Sequence, residues 1–253
     1  MIERFGVCFA PGMDERVISV YLPVGYGACD ARYPVMYMLD GQNAFEEEKS
    51  VYGKSFNLHT FMTGWEKEMI IVGIESSTEN DRRLAEYCPY ALGRGRWEGL
   101  HARGDETMRW IEEELKPIID GRYRTMSNRA CTGIIGAATG GLLALYAVAA
   151  FNHVFSKAAC ISPAICSCHE QIKKQIRMDG IDADTRVYLS MGENEARDKP
   201  ALARMMGRIL GVGDALMHCG ARVEMVLQEN GRHCEADWRM QTERFMRFLW
   251  LEG

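Results

Sequence analysis

The stretch Cys131-Thr132-Gly133-Ile134-Ile135-Gly136-Ala137-Ala138-Thr139-Gly140-Gly141-Leu142-Leu143-Ala144-Leu145-Tyr146 decides how this chain is read. An apolar run ends in a knot of small residues and then gives way to an apolar segment of helical character, which predicts strand, tight turn and helix. Outward from it, short apolar runs at 69–74, 130–135, 157–161, 186–189 and 222–227 alternate with longer helical segments. Continuous apolar strands separated by helices indicate a sheet covered on both faces, and hence a largely parallel one. Residues 16–22 and 34–39 read as two earlier strands, predicted to pair as an opening antiparallel hairpin.

The helix predicted over 105–119 starts with acidic residues and sets Met108, Ile111, Leu115 and Ile119 on one face. Asp198-Lys199-Pro200 reads as a helix start. Leu202, Met205, Met206, Ile209 and Leu210 continue its apolar stripe as core filler, until Gly211 and Gly213, which can interrupt it. A last helix is expected to carry Trp238, Phe245, Phe248 and Leu249 onto the sheet. With no internal repeat, linker or composition shift, one α/β domain over 1–253 is expected.

Composition narrows the function classes. Over 253 residues, 47% hydrophobic and 26% charged, the chain has the make-up of a soluble globular protein, which excludes disordered and fibrous classes. Lys and Arg number 30 against 35 Asp and Glu, with both signs interspersed, so no basic stripe tracks a nucleic-acid backbone. No run approaches the roughly 18 apolar residues of a membrane span, and Met1-Ile2-Glu3-Arg4-Phe5 lacks a signal-peptide pattern. A cytoplasmic location without membrane partners is therefore expected, unless an export signal has been removed. The nine cysteines are scattered among apolar neighbours, as reduced buried thiols are. Cys166-Ser167-Cys168-His169 is the densest group, but no second pair at zinc spacing accompanies it, and no metal is expected.

The central stretch has the layout of a nucleophile elbow, G-x-S-x-G between strand and helix, where small flanks are needed because the strained turn brings two backbones together. Gly136 and Gly140 supply the flanks, but the centre is Ala138, whose methyl group cannot attack a carbonyl. Thr139 sits one position late for a nucleophile. Its expected contribution is a backbone N–H to an oxyanion hole. A glycine turn that merely packs closely is the bland reading, and neither the dinucleotide nor the P-loop glycine spacing fits.

The order of the segments C-terminal to this turn favours the elbow, since this architecture needs an acid after a later strand and a histidine after the last one. Val187 to Leu189 leads into Glu193, Asn194 and Glu195, and Val223 to Leu227 leads into Gly231-Arg232-His233. His233 is the expected base and Glu195 its orienting acid, with Glu193 and Asp198 as competitors for the acid.

With these residues in place, the chain resembles the esterase-D-like Putative esterase family of α/β-hydrolases, which includes feruloyl, acetyl xylan and enterochelin esterases. The likeness rests on Tyr33-Pro34-Val35-Met36-Tyr37-Met38-Leu39-Asp40-Gly41-Gln42-Asn43, Ile71-Val72-Gly73-Ile74-Glu75 and Glu86-Tyr87-Cys88-Pro89. It continues through Glu114-Leu115-Lys116-Pro117, Tyr123-Arg124-Thr125, the elbow, Ile161-Ser162-Pro163-Ala164, and Gly231-Arg232-His233-Cys234-Glu235 with Trp238. The resemblance implies an α/β-hydrolase fold and serine ester hydrolysis without metal or organic cofactor. It also implies that Ala138 stands where the serine is expected, that Glu195 and His233 complete the triad, and that N–H groups of Gln42, or its neighbour Asn43, and Thr139 form the oxyanion hole.

Two explanations for Ala138 stay open: a substitution introduced so that an ester binds uncleaved, or natural loss in a protein that only binds. Survival of the acid and base positions favours the first. The loop over 76–104 carries Arg83, Tyr87, Arg94, Arg96 and Trp97. With Asn43, the residues Arg83, Tyr87 and Trp97 are the expected substrate contacts, suited to an aromatic or anionic group. The expected partner is a small-molecule ester, aromatic acyl and sugar esters being candidates, and a homo-oligomer is left open. Thioesterase or acyltransferase chemistry is the alternative within catalysis, and nucleotide binding a distant one.

Overall fold

The computed structural model describes residues 1–51, 53–79, 81–91 and 99–252. Eight strands form one sheet: β1 (Ile2–Phe9), β2 (Asp14–Tyr21), β3 (Val35–Leu39), β4 (Ile70–Ile74), β5 (Thr132–Ala137), β6 (Lys157–Ile161), β7 (Arg186–Gly192) and β8 (Arg222–Gln228). Their spatial order is β1-β2-β4-β3-β5-β6-β7-β8, with the β1–β2 and β2–β4 pairs antiparallel and all pairs from β4 through β8 parallel. This is the α/β architecture the sequence predicts, a mostly parallel sheet with an opening hairpin.

The partners in that hairpin differ from the expectation. Residues 34–39 do not pair with residues 16–22. β2 turns back on β1, with Ile2 opposite Tyr21 and Phe9 opposite Asp14, while β3 lies inside the sheet between β4 and β5. The physical reason lies in burial. All five residues of β3 are buried, which suits a strand flanked and covered on both sides, whereas β1 is partly exposed along its length and takes the edge.

The helices are α1 (Leu58–Thr63), α2 (Arg82–Tyr87), α3 (Gly104–Trp110), α4 (Lys116–Arg122), α5 (Thr139–Ala150), α6 (His169–Asp179), α7 (Lys199–His218), α8 (Glu235–Trp238) and α9 (Thr242–Trp250). Alternation along the strands feeds two cores. Val35, Tyr37 and Leu39 of β3, with Val187 and Leu189 of β7, face one core with α3, α5, α6 and α7; Met36, Met38 and Tyr188 face the other with α1, α8 and α9. α5 is buried all round, from Gly140 to Ala149, as its uniformly apolar sequence requires.

Three helical expectations change in detail. The predicted 105–119 helix contains a π-helical turn, Ile111–Leu115, joining α3 to α4, and Lys116 N–H bonds Ile111 C=O across it. Pro117 comes immediately after, lacking an N–H and crowding the preceding turn, so the widened turn accommodates it. α7 runs uninterrupted through Gly211 and Gly213. A Cβ at Gly213 would collide with the Met225 sulfur, so the glycine serves close packing on β8. Trp238 ends α8 rather than belonging to α9. Among the described residues no helix is long and apolar enough to cross a membrane, and no His/Cys/Asp/Glu group has metal-holding geometry.

Candidate active site

The C-terminal ends of the parallel strands gather Ala138, Thr139, Glu195 and His233 with Gln42, Asn43 and Arg83. Ala138, between β5 and α5, has φ 54° and ψ −118°, a conformation that L-residues avoid. Residues of this kind persist only where their surroundings hold them, at a cost of roughly 1–3 kcal/mol. Here the hold is a set of backbone contacts. Ala138 N–H bonds Ile161 C=O at 3.0 Å, its own carbonyl accepts from Ala164 and Leu142, and a Cβ on Gly136 would press into the Gly140 carbonyl. The flanking glycines are thus required by contact between strand and helix.

Glu195 leaves β7 in a short 3-10 turn with its side chain 3% exposed. His233 Nδ1 lies 2.8 Å from Glu195 Oε2, while Glu195 Oε1 accepts from Ser162 Oγ at 2.6 Å and Gly192 N–H at 2.8 Å. A carboxylate only accepts, so Nδ1 carries the proton and Nε2 is left as the basic nitrogen. The Trp238 ring meets His233 edge-on at 4.8 Å, and its indole N–H donates to Ser162 Oγ at 3.0 Å. The two competing acids are engaged elsewhere: Glu193 accepts from Asn230 N–H, and Asp198 caps α7 by accepting from Ala201 N–H.

On the other side, Asp40 sits after β3 at φ 59° and begins the 3-10 turn Gly41–Asn43. Asn43 N–H is taken by Asp40 C=O at 2.8 Å, and Asn43 Nδ2 reaches Glu235. Gln42 N–H and Thr139 N–H meet no acceptor among the described residues. The Gln42 side chain is tied to Ser76, whose hydroxyl donates to Asp40 Oδ1 at 2.8 Å. Arg83 grips Asp40 with two nitrogens, at 2.5 and 2.7 Å, and donates to Thr139 Oγ1 at 2.6 Å. The Thr139 hydroxyl is therefore occupied.

Tyr87 does not meet the expectation of a substrate contact. It is 2% exposed and lines neither cavity at the site; its hydroxyl accepts from Asp40 N–H at 3.0 Å and its ring lies under Arg83. An aromatic ring at the end of a six-residue helix found burial more favourable than the cavity mouth. Trp97, Arg94 and Arg96 lie outside the described residues. Ser162, Ser76 and Asp40, which orient the other groups, had no predicted role, because each acts through partners more than thirty positions away.

Two cavities adjoin at Leu84, Thr139 and His233. One, of about 570 Å³, is lined by Asp40, Gln42, Arg83, Ala138 and Glu235. The other, of about 340 Å³, is apolar, lined by Leu142, Pro163, Ile165, Met205 and Ile209. Met205 thus faces a cavity rather than only filling core. Burial raises the pKa of Glu235, with Asp40 adding to it.

A strained strand-to-helix turn above a mostly parallel sheet, facing an acid–histidine pair, defines an α/β-hydrolase. Residues 13–239 match the family model described as Putative esterase, and the chain belongs to that family. It is 25% identical over 195 residues to the "Uncharacterized protein YbbA" of Bacillus subtilis, covering 76% of this chain and 74% of that protein. The fold is shared with the IroE-like serine hydrolase of Shewanella oneidensis at a TM-score of 0.77 and 19% identity, over 98% of this chain and 79% of the other. It is also shared with the BES protein of Bacillus cereus, at 0.76 and 19% over 98% and 94%.

Proposed function

We propose that this chain carries the binding and proton-transfer apparatus of a serine carboxylesterase on one domain, with the nucleophile position filled by Ala138, so that it binds a small-molecule ester and leaves it uncleaved. The observation that carries this reading is the backbone at Ala138. A positive φ at a non-glycine residue has no packing use of its own, yet it points the side chain into the cavity that His233 also lines.

With serine at 138, His233 Nε2 takes the hydroxyl proton as Oγ bonds to the ester carbonyl carbon, and Glu195 stabilises the resulting imidazolium. The oxyanion is received by the N–H groups of Gln42 and Thr139; the Asn43 N–H is spent on Asp40. Collapse of the tetrahedral intermediate passes the proton from Nε2 to the leaving alcohol. Water, activated by the same nitrogen, then releases the acid. No cofactor enters any step. Among the described residues, Asp40, Asp81 and Glu235 line the larger cavity with Arg83, which is bound to Asp40, and this lining suits a neutral polar or sugar-like group. The apolar cavity suits an aliphatic or aromatic group.

The test compares hydrolysis of short-chain and cinnamoyl-type aryl esters by the unmodified chain, Ala138→Ser, and Ala138→Ser with His233→Ala. Removing such a serine lowers turnover on the order of a millionfold, so Ala138→Ser is expected to raise it by a comparable factor. The histidine change should abolish the gain. Serine that restores nothing on any ester would overturn the esterase reading in favour of a binding protein.

A further inference from the structure

At the opposite end of the sheet, where the parallel strands begin, a cavity of about 610 Å³ opens between Pro34, Cys131, Lys157, Arg186 and Trp250. Lys157 opens β6, Arg186 opens β7, and Pro34 and Cys131 immediately precede β3 and β5. Four cations line it: Arg32, Lys67, Lys157 and Arg186. Each is anchored on neutral oxygens. Arg32 donates to Thr125 C=O, Lys67 to Trp250 C=O at 3.0 Å, Lys157 to Ala130 C=O and Ser156 Oγ, and Arg186 to the carbonyls of Phe248 and Glu252. Among the described residues none of the four has a carboxylate within ion-pair distance. Three carboxylates also line the cavity: Asp184, paired with Arg129 outside it, Glu68, which accepts from Gly25 N–H, and Glu252, whose charge acts on Arg186. Lys67 and Lys157 both lie over the Trp250 ring, at 5.8 and 5.0 Å. The Trp250 indole N–H is buried and meets no acceptor among the described residues.

We propose that this cavity binds a small multivalent oxyanion of the phosphate or polycarboxylate class, held by Lys67, Lys157, Arg186 and Arg32. Gathered cations anchored on carbonyls are held in a fixed direction, which is what oxyanion recognition needs. Burial, then Arg186, with Lys67 adding, push the Lys157 ammonium down to about 8 against the opposing effects of Cys131 and Asp184. An oxyanion would reverse that. The cavity is wide enough for more than a single phosphate group, and it stands apart from the ester site, so its occupancy is readable without any catalytic assay.

Pyrophosphate, citrate and inorganic phosphate are titrated into the unmodified chain, with sodium chloride at matched ionic strength, and thermal unfolding and calorimetric binding are followed. At ten times Kd the bound anion should raise Tm by about 3 °C or more above the chloride control. Lys157→Gln and, separately, Lys67→Gln should each weaken binding about tenfold, since each removes one charge-assisted contact. Response to pyrophosphate alone, or to citrate alone, assigns the class. A shift no larger than that of chloride, or one unchanged in both folded variants, overturns the proposal.

Discussion

At Ala138 a single residue holds a backbone conformation that glycine adopts freely and alanine does not. Strain of roughly 1–3 kcal/mol outweighs the roughly 0.4–1 kcal/mol of extra unfolded-state entropy that glycine brings. Ala138→Gly is therefore expected to stabilise the chain by about 1 kcal/mol, read as a higher urea midpoint at unchanged slope. An unchanged or lower midpoint would mean that the turn is not strained. His233 and Glu195 show the same scale at work in sequence. Their order after two strands singles them out, but the choice of Glu195 over Glu193 and Asp198 needs the Gly192 N–H and Ser162 hydroxyl that only Glu195 reaches.

At the scale of elements, β5 and α5 touch through their glycines. Gly136 and Gly140 meet backbone to backbone, and a Cβ at Gly141 would stand 2.8 Å from Ile161 C=O. Backbone cannot move aside as a flexible side chain does, so Gly136→Ala should cost about 3 kcal/mol, at the upper end of overpacking, measured by chemical denaturation. A loss under 1 kcal/mol would show that strand and helix can separate. The glycines of this element are legible in sequence because the contact is local. The π-turn before Pro117 is not, since the apolar spacing of 108, 111, 115 and 119 is that of a plain helix.

Across the whole molecule, α2 clips the edge hairpin to the candidate-site end of the sheet. Arg16 on β2, its side chain 5% exposed, reaches Glu86 on α2 at 2.5 Å, and Arg83 on the same helix holds Asp40. Burial disfavours the Arg16 charge, but Glu86 and Asp14 more than compensate and hold its pKa above the usual range. Glu86→Ala would leave that guanidinium buried with the part-exposed Asp14 as its remaining carboxylate partner, beside the Glu75 carbonyl and the Phe9 ring. A loss of about 3 kcal/mol in unfolding free energy is expected. A neutral result would show that water reaches Arg16 and that the clip is dispensable.

The chain's own sequence determined the strand–turn–helix at 131–146, the alternation of strands and helices, and the order in which Ala138, Glu195 and His233 follow their strands. These arise from sterics and periodicity within a few residues. Which strand pairs with β2, which acid meets His233, which N–H groups at the turns meet no acceptor among the described residues, and which cations share a cavity were settled by folding. Each depends on groups brought together from distant parts of the chain, as with His233 and Glu195 or Arg16 and Glu86, and no local pattern records such meetings.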